Sequence, residues 1–393
     1  MDFFDLEEKY IAHTYGREPI ALVEGDGVKV RDSEGNEYLD FVGGIAVSAL
    51  GHSNPRITEA LSEQAKKLVH VSNLYHIPPQ AELAQKLAGV TPEGIQKFFF
   101  CNSGTEAVES ALKVAVKDTG GKKILALEGS FHGRTSAALG ITWKSSYREP
   151  FKSLISSAYD FVKFDDLSAV KEKIDDQTAA VIAEPIQGEG GVNVPSEGFL
   201  QGLRDVCDDE DVLLIFDEVQ TGMCRTGEWF GCDNWNVAPD IITMAKALGN
   251  GFPIGSMGAK PEVMDSFSPG NHASTFGGNP LACTAANTVI DFMIDEDIPT
   301  HVKEVGGYFK QKLEDISADR ESVKEVRGLG LILAMELESQ ELAENVVEKV
   351  REDGFLINRT AKKVLRFVPP LVLEKDHVDE LVEELDTVLG GAQ

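Results

Sequence analysis

Basic residues are scarce in this chain of 393 residues: 37 lysines and arginines stand against 65 aspartates and glutamates, a formal net charge of −28. A field of that sign repels phosphate, which argues against non-specific binding to nucleic acid or to anionic membranes. It repels acidic metabolites too, so a site for a dicarboxylate must supply its own arginines. Long hydrophobic runs are also missing, and none approaches the roughly 20 residues that span a bilayer. The opening Met1-Asp2-Phe3-Phe4-Asp5-Leu6-Glu7-Glu8 is acidic where a signal peptide is basic, so cytoplasmic residence is expected. Cysteine is limited to Cys101, Cys207, Cys224, Cys232 and Cys283, an odd number without a Cys-x-x-Cys pair. Neither a disulfide framework nor a zinc site is indicated. The histidines form no His-Glu-x-x-His array, they read as packing or surface residues, and no metal is expected.

What is present is apolar residue in quantity: 42% of the chain is hydrophobic, enough for a large core and for two or three domains. No internal repeat or low-complexity linker divides it, so boundaries rest on changes of pattern. Residues 1–54 read as an N-terminal arm with short strands at Val28–Arg31 and Tyr38–Phe41, joined by the turn-forming residues Asp32 to Asn36. From 55 to 280, helical periodicity at Ile57–His70 and Ala81–Leu87 alternates with apolar runs at Phe98–Phe100, Ile124–Leu127, Ala180–Ala183 and Val212–Phe216. Such alternation predicts an α/β fold, a mostly parallel sheet between helices, with ligands at the carboxyl ends of the strands. Residues 281–393 read as a smaller α+β domain: a long helical stretch after Pro280, the segment Arg327–Leu337, a helix, a strand near Val364–Val368 and a closing amphipathic helix.

The residues with chemical potential fall at those strand ends. Asp217 follows Leu213-Leu214-Ile215-Phe216, and an unpaired carboxylate there is costly to bury. Lys246 lies in Met244-Ala245-Lys246-Ala247-Leu248; it either extends its amine to solvent along its aliphatic stem or is a buried nucleophile of lowered pKa. An amine that forms a Schiff base, together with an anion that keeps a ring nitrogen protonated, is what a pyridine-aldehyde cofactor requires. Ser103, Gly104 and Thr105 sit between a strand and a helix start, where free amides hold a phosphate or a capping box serves the helix alone. Phe131 and Arg134 read as a stacking ring and a carboxylate grip, or as a core phenylalanine and a surface arginine. Arg366, inside an apolar run, is either paired with a buried carboxylate or poised for a ligand. Glu189, in a glycine-rich turn after a strand, can pair with an arginine when no anionic substrate is present, or can belong to a plain surface turn.

Taken in order, Phe41–Val47, His70–Tyr75, Asn102–Ala107, Phe131–Arg134, Glu184–Gly191, Phe216–Gly222, Ala245–Leu248 and Ser274–Pro280 resemble the motifs of the class III aminotransferases. These form the ornithine and acetylornithine subgroup of the fold-type I pyridoxal-phosphate enzymes. The similarity runs from about Tyr15 to the C-terminal helix and is greatest to the acetylornithine branch. The resemblance implies pyridoxal 5'-phosphate as cofactor, Lys246 as its Schiff-base partner and Asp217 on the pyridinium nitrogen. It puts Val219 and Phe131 on the two ring faces and Gln220 at the ring hydroxyl. Ser103, Gly104 and Thr105 would hold the phosphate, with Thr275 added by a second subunit, so a homodimer with shared active sites is implied. Arg134 and Arg366 would take substrate carboxylates, Glu189 would gate Arg366, and Tyr15, Ile45 and Ser274 would border the donor.

The activity so implied moves the terminal amine of N2-acetylornithine to 2-oxoglutarate, giving N-acetylglutamate 5-semialdehyde and glutamate, a step of arginine biosynthesis. Ile45 stands where ornithine-specific members carry tyrosine, which argues against free ornithine. Alternatives are donors such as 4-aminobutyrate or other ω-amino acids, or the acyl-lysine and carrier-linked donors of lysine biosynthesis. An aminomutase is disfavoured by the pairing of Glu189 with Arg366, and a non-catalytic regulator by the absence of a basic DNA-binding domain. Two departures from the family pattern, Cys224 and Asn250 in place of glycines, put fine positioning near the site in question.

Overall fold

The computed structural model describes residues 3–391, so Met1 and Asp2 of the acidic opening lie outside the described residues. The arm forms three antiparallel strands, β1 (Leu22–Asp26), β2 (Lys29–Asp32) and β3 (Glu37–Asp40). Asp32 organises the turn between the last two by accepting from the amides of Glu34 and Asn36, each at 2.9 Å. The strand β1 was not expected; its exposed pattern carries no alternation to read.

The central sheet contains β4 (Lys97–Cys101), β5 (Lys123–Leu127), β6 (Tyr159–Val162), β7 (Thr178–Ala183), β8 (Leu213–Asp217), β9 (Ile241–Met244) and β10 (Gly255–Ala259). Its order is β4-β10-β9-β8-β7-β5-β6. All pairings are parallel except those of β10, which runs antiparallel to both neighbours. The strands β7, β9 and β10 are buried along their whole length, which explains why apolar runs rather than alternation marked the interior of the sheet. The sequence of β10, Gly-Ser-Met-Gly-Ala, hides it from such a reading. A Cβ on Gly258 would lie 2.7 Å from the ring of Phe98, so the small residues make room for β4.

The expected helices exist with shifted ends. Pro55–Lys67 is capped by Asn54, whose side chain accepts from the Arg56 amide, and it stops where Leu68 turns extended at φ −165°. Pro78–Val90 starts on two prolines, which suit a first helical turn. The stretch after Pro280 is two helices, Pro280–Asp295 and Ile298–Asp319, broken where Asp297 adopts φ 46°.

Beyond them lie β11 (Val323–Leu329), β12 (Ile332–Leu337), β13 (Phe355–Leu356), β14 (Asn358–Thr360) and β15 (Val364–Phe367), followed by the helix Lys375–Gly391. A second sheet has the order β11-β12-β15-β14, while β13 pairs in parallel with β3 and so joins the arm to the C-terminal part. No helix among the described residues is long and apolar enough to cross a membrane.

Candidate active site

Four loops leaving the carboxyl ends of β4, β5, β7 and β8, together with the turn after β9, surround a cavity of about 400 Å3. That size suits a small cofactor or substrate. Lys246, Asp217, Val219, Gln220, Phe131 and Arg134 all line it, as do Ser103, Gly104 and Thr105 at the start of the helix Gly104–Thr119. Ser103 caps that helix by accepting from the Glu106 amide. Capping thus occurs at the very place where the resemblance expects a phosphate. Gly104 is required there, because a Cβ would lie 2.8 Å from a methyl of Val219.

Asp217 is buried and held from three directions. Its Oδ2 accepts from Nδ1 of His132 at 2.7 Å; its Oδ1 accepts from the Thr243 hydroxyl at 3.0 Å and the Val219 amide at 3.1 Å. This resolves the cost of a carboxylate in an apolar strand: it is paired and hydrogen-bonded, as burial demands. Burial lowers the pKa of His132, but the hydrogen bond and charge of Asp217 outweigh it, and the imidazole titrates above its ordinary range. His132 was passed over among histidines read as packing or surface residues. Its signal was its place beside Phe131 at a strand end.

Lys246 opens a short 3-10 turn with φ 47°, a left-handed conformation that a non-glycine residue adopts at a cost of roughly 1–3 kcal/mol. Such strain is commonly stored at functional positions. Desolvation by its surroundings lowers the amine to about 8, with Glu189 opposing and Arg366 assisting. It forms no ion pair within 4 Å among the described residues. The neighbouring Glu184 is pushed up to about 8 by burial and accepts from the Phe131 amide at 3.0 Å.

Arg366 is 1% exposed. Its Nη1 donates to Glu189 at 2.5 Å and to Gln220 at 3.3 Å, and its Nε donates to Asn358 at 3.2 Å. Burial raises Glu189, yet the Arg366 charge prevails and holds the carboxyl below its ordinary value. Arg134, by contrast, is exposed; its guanidinium lies 3.6 Å from the Tyr147 ring centroid and 5.6 Å from that of Phe131. No ion pair among the described residues engages it.

Other expected residues lie apart. Tyr15 is 73% exposed and stacks with Arg17 outside the cavity. Ile45 lines a larger groove beside the arm, two residues from Val47, which reaches the cavity; φ 64° is a strained value for a β-branched side chain. Ser274 accepts from Asn102 at 3.2 Å, while Thr275 points to the exterior of this chain. Asn73 donates to the Gly277 carbonyl at 2.9 Å, which sets Leu74 (85% exposed) and Tyr75 near Thr275 and the exposed Phe276.

The two glycine replacements are accommodated. Cys224 takes φ 67° in the core with its sulfur 3.8 Å from that of Met293. Asn250 takes φ 45°, accepts from the Leu50 amide at 2.7 Å and donates to the Gly51 carbonyl at 3.1 Å. It therefore staples the turn after Lys246 to the arm.

Residues 10–389 match the family model described as aminotransferase class-III. The chain is 48% identical over 392 residues to an acetylornithine aminotransferase of Methanopyrus kandleri, covering 100% of both. Among solved structures, it is similar to an ornithine aminotransferase of Toxoplasma gondii with PLP at partial occupancy in its active site. That likeness has TM-score 0.94 and 33% identity, covering 98% of this chain and 93% of the other. An acetylornithine aminotransferase of Elizabethkingia anophelis matches at TM-score 0.88 and 34% identity, covering 99% of this chain and 98% of that one.

Proposed function

The chain belongs to the class-III aminotransferase family, and from that premise we propose that it transfers the terminal amine of N2-acetylornithine to 2-oxoglutarate. The products are N-acetylglutamate 5-semialdehyde and glutamate. The observation that carries this reading is the ion pair of the buried Arg366 with the half-buried Glu189, near Lys246 and Asp217. An enzyme of this kind handles a terminal amine in one half-reaction and an α-amino acid in the other. An arginine whose charge can be cancelled or offered suits both tasks.

Pyridoxal phosphate, when bound, supplies an electrophilic carbon and a ring that accepts electrons. The residues present fit it. Asp217, held by hydrogen bonds from His132, Thr243 and the Val219 amide, would pair with a protonated ring nitrogen. Val219 and Phe131 would flank the ring, Gln220 would meet its hydroxyl, and Ser103 to Thr105 would receive the phosphate at a helix N-terminus. The Lys246 amine, at about 8, is partly neutral near physiological pH and can attack as a nucleophile. The same nitrogen would then take a proton from the donor's terminal carbon and hold it for return to the neighbouring carbon on the one face it reaches. In the donor half-reaction Glu189 neutralises Arg366; in the oxoacid half-reaction Arg366 is released to bind the α-carboxylate, and Arg134 takes a second carboxylate. Ile45, Tyr15 and Ser274 would border the donor.

We take residues 1–54 with 281–393 as one smaller domain beside the larger 55–280, because β3 and β13 share a sheet. A cytoplasmic homodimer completes the picture. The apolar surface around Thr275 is the face a second copy would cover, delivering that threonine to the neighbouring site. The test is a spectral titration of the loaded enzyme with acetylornithine, ornithine, 4-aminobutyrate and acetyl-lysine, with the mass of the same sample read by light scattering. Acetylornithine should react fastest on a dimer. Reaction with 4-aminobutyrate and none with acetylornithine would overturn the donor, and a fully active monomer would overturn the shared site.

A further inference from the structure

Arg327, Ala334, Arg366 and Asn358 form one row across the second sheet, each paired in register with the next. Residues directly opposite share a face, so the two arginines project side by side from β11 and β15, two strands or roughly 10 Å apart. That face packs on the loop after β7: Ile332, Ala334 and Val364 meet Ile186 and Val192. Arg366 takes the side chain of this loop at Glu189. Arg327 takes its backbone, because Nε and Nη2 both donate to the Gly191 carbonyl, at 3.0 and 2.7 Å. Its remaining nitrogen, Nη1, pairs with Glu325 and Glu336, each at 2.8 Å.

The loop backbone is held elsewhere too. Gln187 and Asn193 exchange two backbone hydrogen bonds of 3.1 Å, and the Asn193 amide group donates to the Gly190 carbonyl at 3.2 Å. The Thr360 hydroxyl, on β14 of the same sheet, donates to the carbonyl of Glu189 at 2.5 Å. Gly191 has φ 121°, a value that favours glycine, and a Cβ there would press on Ala361 Cβ at 3.2 Å and Arg327 Nη2 at 3.3 Å. The carbonyls of Glu189, Gly190 and Gly191 are thus each held, while the Glu189 side chain is held chiefly by the Arg366 charge that it is required to give up.

We propose that Arg327 is a positioning residue for the exchange between the two half-reactions. By fixing the loop backbone from the row that carries Arg366, it confines the gate to rotation of the Glu189 side chain. Arg327 touches no substrate; its effect passes through Gly191 to Glu189. A loosened loop lets Glu189 drift away from Arg366, which harms the half-reaction that needs Arg366 neutralised and spares the one that needs it free. The proposal rests on the terminal-amine reading above.

Single-turnover rates of holoenzyme with acetylornithine and, separately, with glutamate test it. Arg327→Gln should slow the acetylornithine half-reaction roughly tenfold and leave the glutamate half-reaction within about twofold. Arg327→Lys, which keeps the charge without the fork, should resemble Arg327→Gln, and Thr360→Val should shift the ratio in the same direction. Equal slowing of both half-reactions, or no change in either, would overturn the role. If Arg327→Gln does not fold, Arg327→Lys and Thr360→Val decide by the same ratio. Glu189→Gln measured alongside separates the two readings. Asymmetry in Glu189→Gln without any in the Arg327 and Thr360 variants removes the positioning role and leaves the gate; symmetry in Glu189→Gln removes the gate and the positioning role with it.

Discussion

The Lys246 amine is the nucleophile only when neutral, so its lowered pKa makes a quantitative claim about capture of the cofactor by the apoenzyme. At a pKa of about 8, roughly one tenth of the amine is neutral at about pH 7 and about half at pH 8. An ordinary lysine, at about 10.4, would be on the order of 0.04% neutral at pH 7, a difference of about 200-fold. The sign follows: capture should accelerate as pH rises through about 8 and level off above it. Burial is the largest cause, but the Glu189 carboxylate works against it and the Arg366 guanidinium with it. Glu189→Gln removes the opposing anion and should move the inflexion to lower pH. Arg366→Gln removes the assisting cation and should move it to higher pH. The assay mixes apoenzyme with pyridoxal phosphate, quenches with borohydride at timed intervals and counts the Lys246 peptide that carries the pyridoxyl group. An inflexion in the range of an exposed lysine, or an upward move in Glu189→Gln, would refute the electrostatic account of this amine.

Two further outcomes are expected from contacts that hold the site. His132→Leu removes the shortest hydrogen bond to Asp217 and leaves Thr243 and the Val219 amide. Loss of about 1.5–3 kcal/mol on a charged acceptor should lower kcat/KM roughly 10- to 160-fold in both half-reactions, and a change under about twofold would deny His132 this part. Asn250→Gly keeps a residue at ease with positive φ but deletes the bonds to Leu50 and Gly51. It should cost about 1–2 kcal/mol in a denaturant melt, with Asn250→Ala worse by the backbone strain; equal stability of all three proteins would show that the staple carries no load.

The parts of this molecule that were legible in its sequence are those whose physics is local. Buried parallel strands read as apolar runs because both faces are covered, and the glycine and hydroxyl residues at Ser103 to Thr105 announced a strand-to-helix turn. Contacts made at long range were not legible. His132 reaches Asp217 across 85 positions, and Arg327 reaches Gly191 across 136. Neither has a spacing that announces its partner. An arginine within Val323–Leu329 reads as a solvated residue, and only the register of four strands shows that it stands in line with Arg366. Tyr15 and Thr275 differ again: the cavity of one chain does not include them, and only the resemblance places them at the donor and at a second subunit's phosphate.

The site also answers how so acidic a chain can receive a phosphate-bearing cofactor and a dicarboxylate. Three carboxyls, Glu184, Glu189 and Asp217, act electrostatically on Lys246, which taken as three anions would repel such ligands. They do not remain three anions. Glu184, pushed up to about 8 chiefly by burial, is roughly nine-tenths protonated near pH 7. Glu189 is matched by Arg366. Asp217 accepts from His132 at 2.7 Å, and on the proposed reading it is the carboxylate that serves the ligand. The net −28 of the whole chain acts at longer range, where salt screens it over about 8 Å at physiological ionic strength. On the proposed reading an incoming oxoacid therefore meets a largely neutral Glu184 and an exposed Arg134 lining the cavity, with Arg366, bonded to the lining residue Gln220, free to be released by Glu189. The acidity of the composition and the anion tolerance of the cavity are compatible because burial decides the protonation of one group and pairing cancels another.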